Sequence, residues 1–271
     1  MPSDVIFQAI AGFRLVTADP ARLVAFYRAI GFDVGEAAPI PAADMKLLGL
    51  SGAGSRIAMS LGRSRVDLER FDHPGHPYPG DTTACDLVFQ HLALVTDDAE
   101  AAWCRARDAG ATPISRERPV TLPKSAGGVT TVKFRDPEGH PLEFLQFPRG
   151  ANPDWKGTGI MGIDHSAISV SDVMASRHFY AHHGLSEAGA TVNHGPTQDA
   201  LDGLDGVKVD VVPMNPTDKP PHVEMLGYRH PVGRALRPLS TNDLAATRIV
   251  WRSNADALIR DPDGHLHQLS R

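Results

Sequence analysis

Two histidines and two glutamates stand where their side chains could do chemistry. His91 and His165 open two segments of similar pattern, HLALVTDDAEAAW and HSAISVSDVMASR. Glu143 and Glu224 each lie between two apolar neighbours, in the runs LEF and VEM. Histidine is a proton shuttle and a metal ligand, and a carboxylate isolated on a buried strand is costly without a partner or a metal. These residues indicate metal binding or proton transfer, and a hydrogen-bonded His91–Glu143 core pair is the alternative.

The elements that would position these residues are predicted by an internal repeat. Three segments, which begin at Gly12, His91 and His165, each open with an apolar strand and reach an aspartate that suits a helix N-cap. Each then ends at a glycine that suits a left-handed helix C-cap. The downstream halves repeat too, since DPEGH at residues 136–140 matches DPDGH at residues 261–265. The capping residues are Asp19, Asp98 and Asp172 at the N-termini and Gly31, Gly110 and Gly184 at the C-termini.

A fourth unit begins near Arg248 and is much shorter than the other three. Too few residues separate its capping position from its DPDGH turn for a helix and two strands. Residues 247–270 are therefore predicted to form a remnant without a helix. The segment at residues 149–159, RGANPDWKGTG, is rich in turn formers and is predicted to divide the chain into residues 1–150 and residues 151–271.

Composition and charge exclude several classes of protein. The chain has 271 residues, of which 42% are hydrophobic and 22% charged, as in ordinary globular proteins. A formal net charge of −5 gives no basic footprint for nucleic acid or an anionic membrane. The 2 cysteines are too few for a disulfide scaffold. These features, with an amino terminus at residues 1–4 that lacks the charge of a signal peptide, predict a cytoplasmic protein.

The tandem βαβββ pattern resembles the vicinal oxygen chelate superfamily, which includes glyoxalase I, extradiol dioxygenases and bleomycin-resistance proteins. The motifs that carry the resemblance are HSAISVSDVMASRHFY, DPEGHPLEF and VFQHLALV. It implies an α+β fold in which tandem βαβββ modules form two cup-like mixed sheets with helices outside. The fourth module is then truncated and lacks its helix. The resemblance also implies a divalent metal on the cup floor, held by the first and last strand of each module.

Pairing of consecutive modules places the candidate active cup in residues 1–150. Its implied ligand positions are Gly12, Asp67, His91 and Glu143, of which His91 and Glu143 match the family. Asp67 is shorter than the usual glutamate, and Gly12 offers no side chain. We predict that His91, Glu143 and Asp67 hold Mn, Fe, Ni or Zn, to which such donors are suited. His91 and Glu143 are also the predicted catalytic residues.

The second cup, in residues 151–271, is predicted to be degenerate. Its implied ligand positions are His165, Glu224, Arg248 and Gln268, of which only the first two match. Arg248 puts a permanent cation where a ligand should be, which argues against a metal there. His165 and Glu224 are then a vestigial pair bonded to Arg248. The residues predicted to bind substrate are Arg14, Glu69 and Arg248.

Three classes of function remain open. The first is a glyoxalase- or dioxygenase-like metal enzyme, a lyase, isomerase or dioxygenase, that acts on a small oxygenated substrate. The second is a metal-free small-molecule binding protein of the bleomycin-resistance type, for which Gly12 and Arg248 argue. The third is a structural or partner-binding protein. The predicted partners are a small-molecule substrate and, through the exposed edge of the truncated module, a second copy of the chain in a homodimer.

Overall fold

The computed structural model describes residues 5–116 and 118–271, so the amino-terminal residues used in the signal-peptide argument lie outside it. The first unit of the chain has two helices and four strands. Its elements are β1 (Ala9–Val16), α1 (Pro20–Ala29), β2 (Asp33–Pro39), α2 (Ala42–Leu47), β3 (Gly54–Leu61) and β4 (Ser64–Phe71). The second unit has one α-helix, a short 3-10 helix at Lys124–Ala126, and five strands. They are β5 (Gln90–Thr96), α3 (Ala99–Asp108), β6 (Thr112–Pro113), β7 (Val120–Thr121), β8 (Thr130–Arg135) and β9 (Pro141–Gln146).

The third unit repeats the first, and the fourth is a fragment of the same pattern. The third contains β10 (Ile160–Ser169), α4 (Val173–His182), β11 (Ser186–Glu187), β12 (Thr191–His194), α5 (Pro196–Asp202), β13 (Lys208–Asn215) and β14 (His222–His230). The fourth contains β15 (Arg248–Arg252), β16 (Ala257–Arg260) and β17 (Leu266–Ser270), with no helix in this fully described segment. The α+β class and the loss of the fourth helix are as predicted.

The strands form two mixed sheets, and each sheet joins units that are not the predicted partners. The seven-stranded sheet has the order β16-β17-β15-β1-β4-β3-β2 and joins the first unit to the fourth. The ten-stranded sheet has the order β11-β13-β14-β10-β5-β9-β8-β6, with β12 on β13 and β7 on β8, and joins the second unit to the third. The linker at residues 149–159 therefore connects two units of the same ten-stranded sheet. It does not separate one pair of modules from the other.

Two long connections explain this arrangement. The chain leaves the seven-stranded sheet through residues 72–89 and returns to it through residues 231–247. The two connections run side by side, since the amide of Leu87 donates to the carbonyl of Arg234 at 3.0 Å and that of Leu244 donates to His76 at 3.0 Å. Both connections are long enough to cross between the sheets. The pattern of apolar residues within a unit does not indicate which other unit it pairs with in a sheet.

The predicted caps are present at the three long helices. The side chains of Asp19, Asp98 and Asp172 each accept a hydrogen bond from a backbone amide in the first turn. The glycine after each helix has a positive φ, for example 99° at Gly31 and 92° at Gly184. The helices carry the apolar residues that complete one core cluster shared by both sheets.

The first unit meets the second, and the third meets the fourth, through a buried tyrosine instead of through a sheet. Tyr27 of α1 donates its hydroxyl to Asp136 of the second unit at 3.2 Å. Tyr180 of α4 makes the same bond to Asp261 of the fourth unit at 3.0 Å. These aspartates belong to the two DPxGH turns. The turns therefore attach the second unit to the helix of the first, and the fourth unit to the helix of the third. Among the described residues, every helix is too short or too polar to span a membrane.

Candidate functional site

Four side chains from the second and third units meet in a cavity of about 430 Å³ in the ten-stranded sheet. They are His91, Glu143, His165 and Glu224. The Nε2 atom of His91 lies 2.8 Å from a carboxylate oxygen of Glu143, and that of His165 lies 3.5 Å from Glu224. Ligand atoms of His91, Glu143 and His165 all lie within 4.8 Å of one another. The sequence placed these residues in two different cups, and the structure brings them into one.

Strand alternation directs these side chains into the cavity. On β9, Leu142 and Phe144 belong to the core, which leaves Glu143 on the opposite face. On β14, Val223 and Met225 belong to the core, which leaves Glu224 on the face that lines the cavity. The two arrangements are equivalent, because each glutamate lies on a strand that pairs in parallel with the histidine-bearing strand of its own unit.

The third unit departs from simple alternation at a β-bulge. The register between β10 and β5 shifts between Ile163 and His165, so Asp164 and His165 both line the cavity. Asp164 lies 3.0 Å from Nδ1 of His165 and accepts a 2.9 Å hydrogen bond from the indole of Trp155. The carboxylate thus fixes the orientation of the ring and turns its Nε2 atom toward Glu224.

The site is electrostatically polarised. Burial alone would raise the pKa of Glu143, but the adjacent His91 and Lys133 lower it to about 2. Burial would likewise raise the pKa of Glu224, and His165 and its neighbours lower it to about 2. Burial lowers the pKa of His91 despite the opposing effect of Glu143. Burial would also lower the pKa of His165, yet Glu224 and Asp164 raise it to about 9. Both glutamates are therefore carboxylates at neutral pH.

The donor set fits a divalent metal ion. His91 is only 1% exposed, and neither of its ring nitrogens has hydrogen-bond geometry with any described group, despite the short approach to Glu143. A buried, unsatisfied nitrogen is costly, and a metal ion shared with the carboxylate would satisfy it. Two imidazoles and two carboxylates suit Mn, Fe, Ni or Zn more than a metal that prefers thiolates.

Comparison with known proteins identifies the family. The sequence profile of the Glyoxalase/Bleomycin resistance protein/Dioxygenase superfamily matches residues 9–144, half of the chain. This protein belongs to that superfamily. The vicinal oxygen chelate resemblance is thus confirmed. Comparison with curated proteins gives no match.

Solved structures of glyoxalase-superfamily proteins share this fold. Glyoxalase I from Zea mays superposes with a TM-score of 0.60 at 15% identity, over 97% of this chain and 92% of that one. A dioxygenase-like protein from Bacillus subtilis superposes with a TM-score of 0.58 at 14% identity, over 97% of this chain and 85% of that one. At such identities, the similarity establishes the fold alone.

The glyoxalase-type cup of the seven-stranded sheet is filled by ion pairs. Glu69 and Arg248 are both 0% exposed and form a salt bridge with each other. Arg56 donates to Glu69 at 2.8 Å and to Asp44 at 2.5 Å, and Arg14 lies 3.7 Å from Glu69. Among the predicted substrate-binding residues, Glu69 therefore pairs with both Arg14 and Arg248, because charges buried this deeply must be paired.

The predicted ligand set of His91, Glu143 and Asp67 is not brought together. Asp67 lies on β4 in the seven-stranded sheet, where its carboxylate accepts a 2.8 Å hydrogen bond from Arg65. The correction follows from unit pairing, since β4 joins the sheet of the first and fourth units. His165 and Glu224 are correspondingly not a degenerate pair on Arg248.

Gly12 and Gln268 occupy the remaining positions of the filled cup. A Cβ atom at Gly12 would lie 2.9 Å from the backbone oxygen of Arg65, so close packing of two strands accounts for the glycine. Gln268 is 3% exposed on β17. Neither residue lines the cavity of the ten-stranded sheet.

Sequence reasoning missed several residues of the cavity. Lys133 on β8 lies opposite Glu143 and binds Asp202 at 2.7 Å, and it stands between two core residues as Glu143 does. The same pattern could have identified it. Asp164 carried no such signal, because its orientation depends on the bulge.

Proposed function

We propose that the cavity of the ten-stranded sheet is the active site of a metal-dependent enzyme that acts on a small oxygenated molecule. His91, Glu143 and His165, whose ligand atoms lie within 4.8 Å of one another, would hold the metal ion. The observation that carries the proposal is the buried, unbonded ring of His91 beside a carboxylate and a second histidine. Three protein ligands leave a coordination position free for a substrate oxygen, as in catalytic and unlike closed structural sites.

A divalent cation in this site would polarise the oxygens of a bound substrate as a Lewis acid. The two carboxylates have different tasks. Glu143 accepts a hydrogen bond from Thr131 on one oxygen, which holds it as a ligand. The side chain of Glu224 is 19% exposed against 7% for Glu143, so we assign to Glu224 the role of accepting a proton from the substrate.

The surroundings support this chemistry. Asp164 holds the ring of His165 through its Nδ1 atom, which orients Nε2 toward the cavity. Apolar residues form much of the cavity wall, and the charged side chains are largely buried, which strengthens the interactions between them. Gly12 and Arg248, the two residues that favoured a metal-free binding protein, both lie in the seven-stranded sheet.

The donor set supports more than one reaction class within the superfamily. Two histidines with a carboxylate suit non-haem iron, and the full set also suits nickel or zinc. A lyase, isomerase or dioxygenase reaction is therefore compatible with the same four residues. A homodimer and a cytoplasmic location stay predictions, which gel filtration and fractionation would test.

The proposal is tested by elemental analysis after growth with added Mn, Fe, Ni or Zn. Wild type should retain one of these metals stoichiometrically, and His91→Ala should lose it. His178→Ala is the matched control, because His178 is exposed on α4 and does not line the cavity. Equal, substoichiometric metal in all three proteins would reject the proposal and favour a metal-free binding protein.

A further inference from the structure

A second polar cluster includes Lys133, Gln198 and Tyr228, which line the same cavity. Lys133 donates to Asp202 at 2.7 Å through one carboxylate oxygen, and Gln198 donates to the other oxygen at 2.8 Å. The hydroxyl of Tyr228 on β14 lies near the Asp202 carboxylate but does not have the geometry of a hydrogen bond to it. Because Lys133 also lies opposite Glu143, this cluster is connected to the proposed metal site along one wall.

Two atoms of this cluster are buried without a hydrogen-bond partner in the described part of the chain. They are the side-chain oxygen of Gln198 and the hydroxyl of Tyr228. Gln198 is 4% exposed, and its amide nitrogen is already committed to Asp202. An unsatisfied buried polar atom costs free energy, so such atoms indicate a missing partner. Since both residues line the cavity, that partner would be a ligand.

The side-chain oxygen of Gln198 and the hydroxyl of Tyr228 together require a ligand group that can both accept and donate a hydrogen bond. Burial raises the pKa of Tyr228 well above its usual value, and Asp202 raises it further, so the phenol stays protonated and can donate. The carbonyl oxygen of Gln198 can only accept. A ligand group that accepts from one and donates to the other satisfies both, and a hydroxyl is the simplest such group.

The charge of the cavity argues against an anionic ligand. Lys133 is the one lysine or arginine among the described residues that line it, and Asp202 already neutralises its charge. A carboxylate-bearing ligand would find no free cation at this end of the cavity. Most other residues that line the cavity are apolar, among them Leu122, Val129, Phe147, Leu201 and Val211.

We propose that Gln198 and Tyr228 bind a hydroxyl group of an uncharged, largely apolar substrate. The inference rests on the proposed function for the identity of the reacting end, but the binding itself requires no metal. Lys133 and Asp202 are positioning residues, because they hold Gln198 and do not contact the ligand group. A glutathione conjugate, with its carboxylates, is not a ligand of this cavity.

The test compares probes with and without a hydroxyl in the full-length protein after treatment with EDTA. Dissociation constants are measured by calorimetry for 2-naphthol, 2-methylnaphthalene and S-hexylglutathione. Wild type should bind 2-naphthol about tenfold more tightly than 2-methylnaphthalene, a ratio expected for one good hydrogen bond. In Tyr228→Phe and Gln198→Met, that preference should shrink severalfold while 2-methylnaphthalene binds as in wild type. Tyr78→Phe is the control, since Tyr78 does not line the cavity, and it should keep the wild-type preference.

Three results would overturn the inference. Binding of 2-methylnaphthalene as tight as that of 2-naphthol would exclude a hydroxyl site, as would absence of binding by both. An unchanged preference in both cavity variants would exclude Gln198 and Tyr228. Tighter binding of S-hexylglutathione would exclude an uncharged substrate. Because every measurement uses metal-free protein, failure of the metal proposal would appear in the elemental analysis and would leave these results unaffected.

Discussion

The imidazole rings of His91 and His165 lie with their centroids 5.7 Å apart, although the two residues belong to different repeats. Their strands pair antiparallel at the centre of the ten-stranded sheet, where Ala93 faces His165 and His91 faces Ala167. This register relates the second and third units by an approximate twofold axis, so each supplies half of one site. The first and fourth units use the equivalent position of their sheet for buried ion pairs.

The ion pair in the seven-stranded sheet should be a determinant of stability and not of ligand binding. Arg248→Met leaves one oxygen of the buried Glu69 carboxylate without its cation, while Arg56 still binds the other, and should lower the free energy of unfolding by about 1–3 kcal/mol. Urea unfolding measures this loss. Arg229→Met, which removes a half-exposed pair with Asp210, should have little effect. A stable Arg248→Met protein that no longer binds 2-naphthol would show that the ion pair is part of a binding site.

Two tyrosines offer a comparison of a bonded and an unbonded hydroxyl. Tyr180→Phe removes the donor to Asp261 and should destabilise the protein by about 1–3 kcal/mol. Tyr228→Phe removes a hydroxyl without a partner among the described residues, and should leave stability unchanged or slightly higher. Thermal unfolding of the two variants at equal concentration tests the difference. Equal destabilisation would mean that the Tyr228 hydroxyl has a structural partner.

Much of the local structure could be predicted from the sequence because its causes are local. Asp19 and Gly31 determine the ends of α1 through capping and a positive φ, and both are recognisable by residue type. Glu143 could be assigned to the cavity side because its neighbours are apolar and strand side chains alternate.

The composition of the site could not be predicted, because it depends on which units pair. That choice is made by the long connections at residues 72–89 and 231–247 and by contacts between distant strands. The expectation that consecutive units pair put Asp67 with His91 and left His165 in a degenerate cup. Asp164 was missed for a different reason, since the β-bulge on β10 has no signature in a single sequence.

Close packing at Gly12 should make this position intolerant of any side chain. Gly12→Ala places a Cβ 2.9 Å from the Arg65 carbonyl and should cost about 1–3 kcal/mol of stability. Gly80→Ala is the matched control, because nothing lies within 4 Å of a Cβ there. Chemical denaturation distinguishes the two. A Gly12→Ala protein as stable as the control would show that the strands can separate to make room for a ligand side chain.

Asp164 should tune the metal site without touching the ion. Asp164→Asn removes the charge that orients His165 and should weaken metal binding by about 10–100-fold. Trp155→Phe, which removes one donor to that carboxylate, should have a smaller effect in the same direction. Calorimetric titration with Zn²⁺ or Ni²⁺ compares the variants. Unchanged affinity in Asp164→Asn would mean that the packing of the ring alone positions His165.

Metal titration of two variants tests directly whether the second and third units share one metal site. His165→Ala should weaken the binding of Zn²⁺ or Ni²⁺ by more than about a hundredfold, beyond the loss of a supporting hydrogen bond. Asp67→Asn should bind the metal with wild-type affinity, because Asp67 lies in the seven-stranded sheet. Loss of the metal in Asp67→Asn with normal binding in His165→Ala would contradict the account.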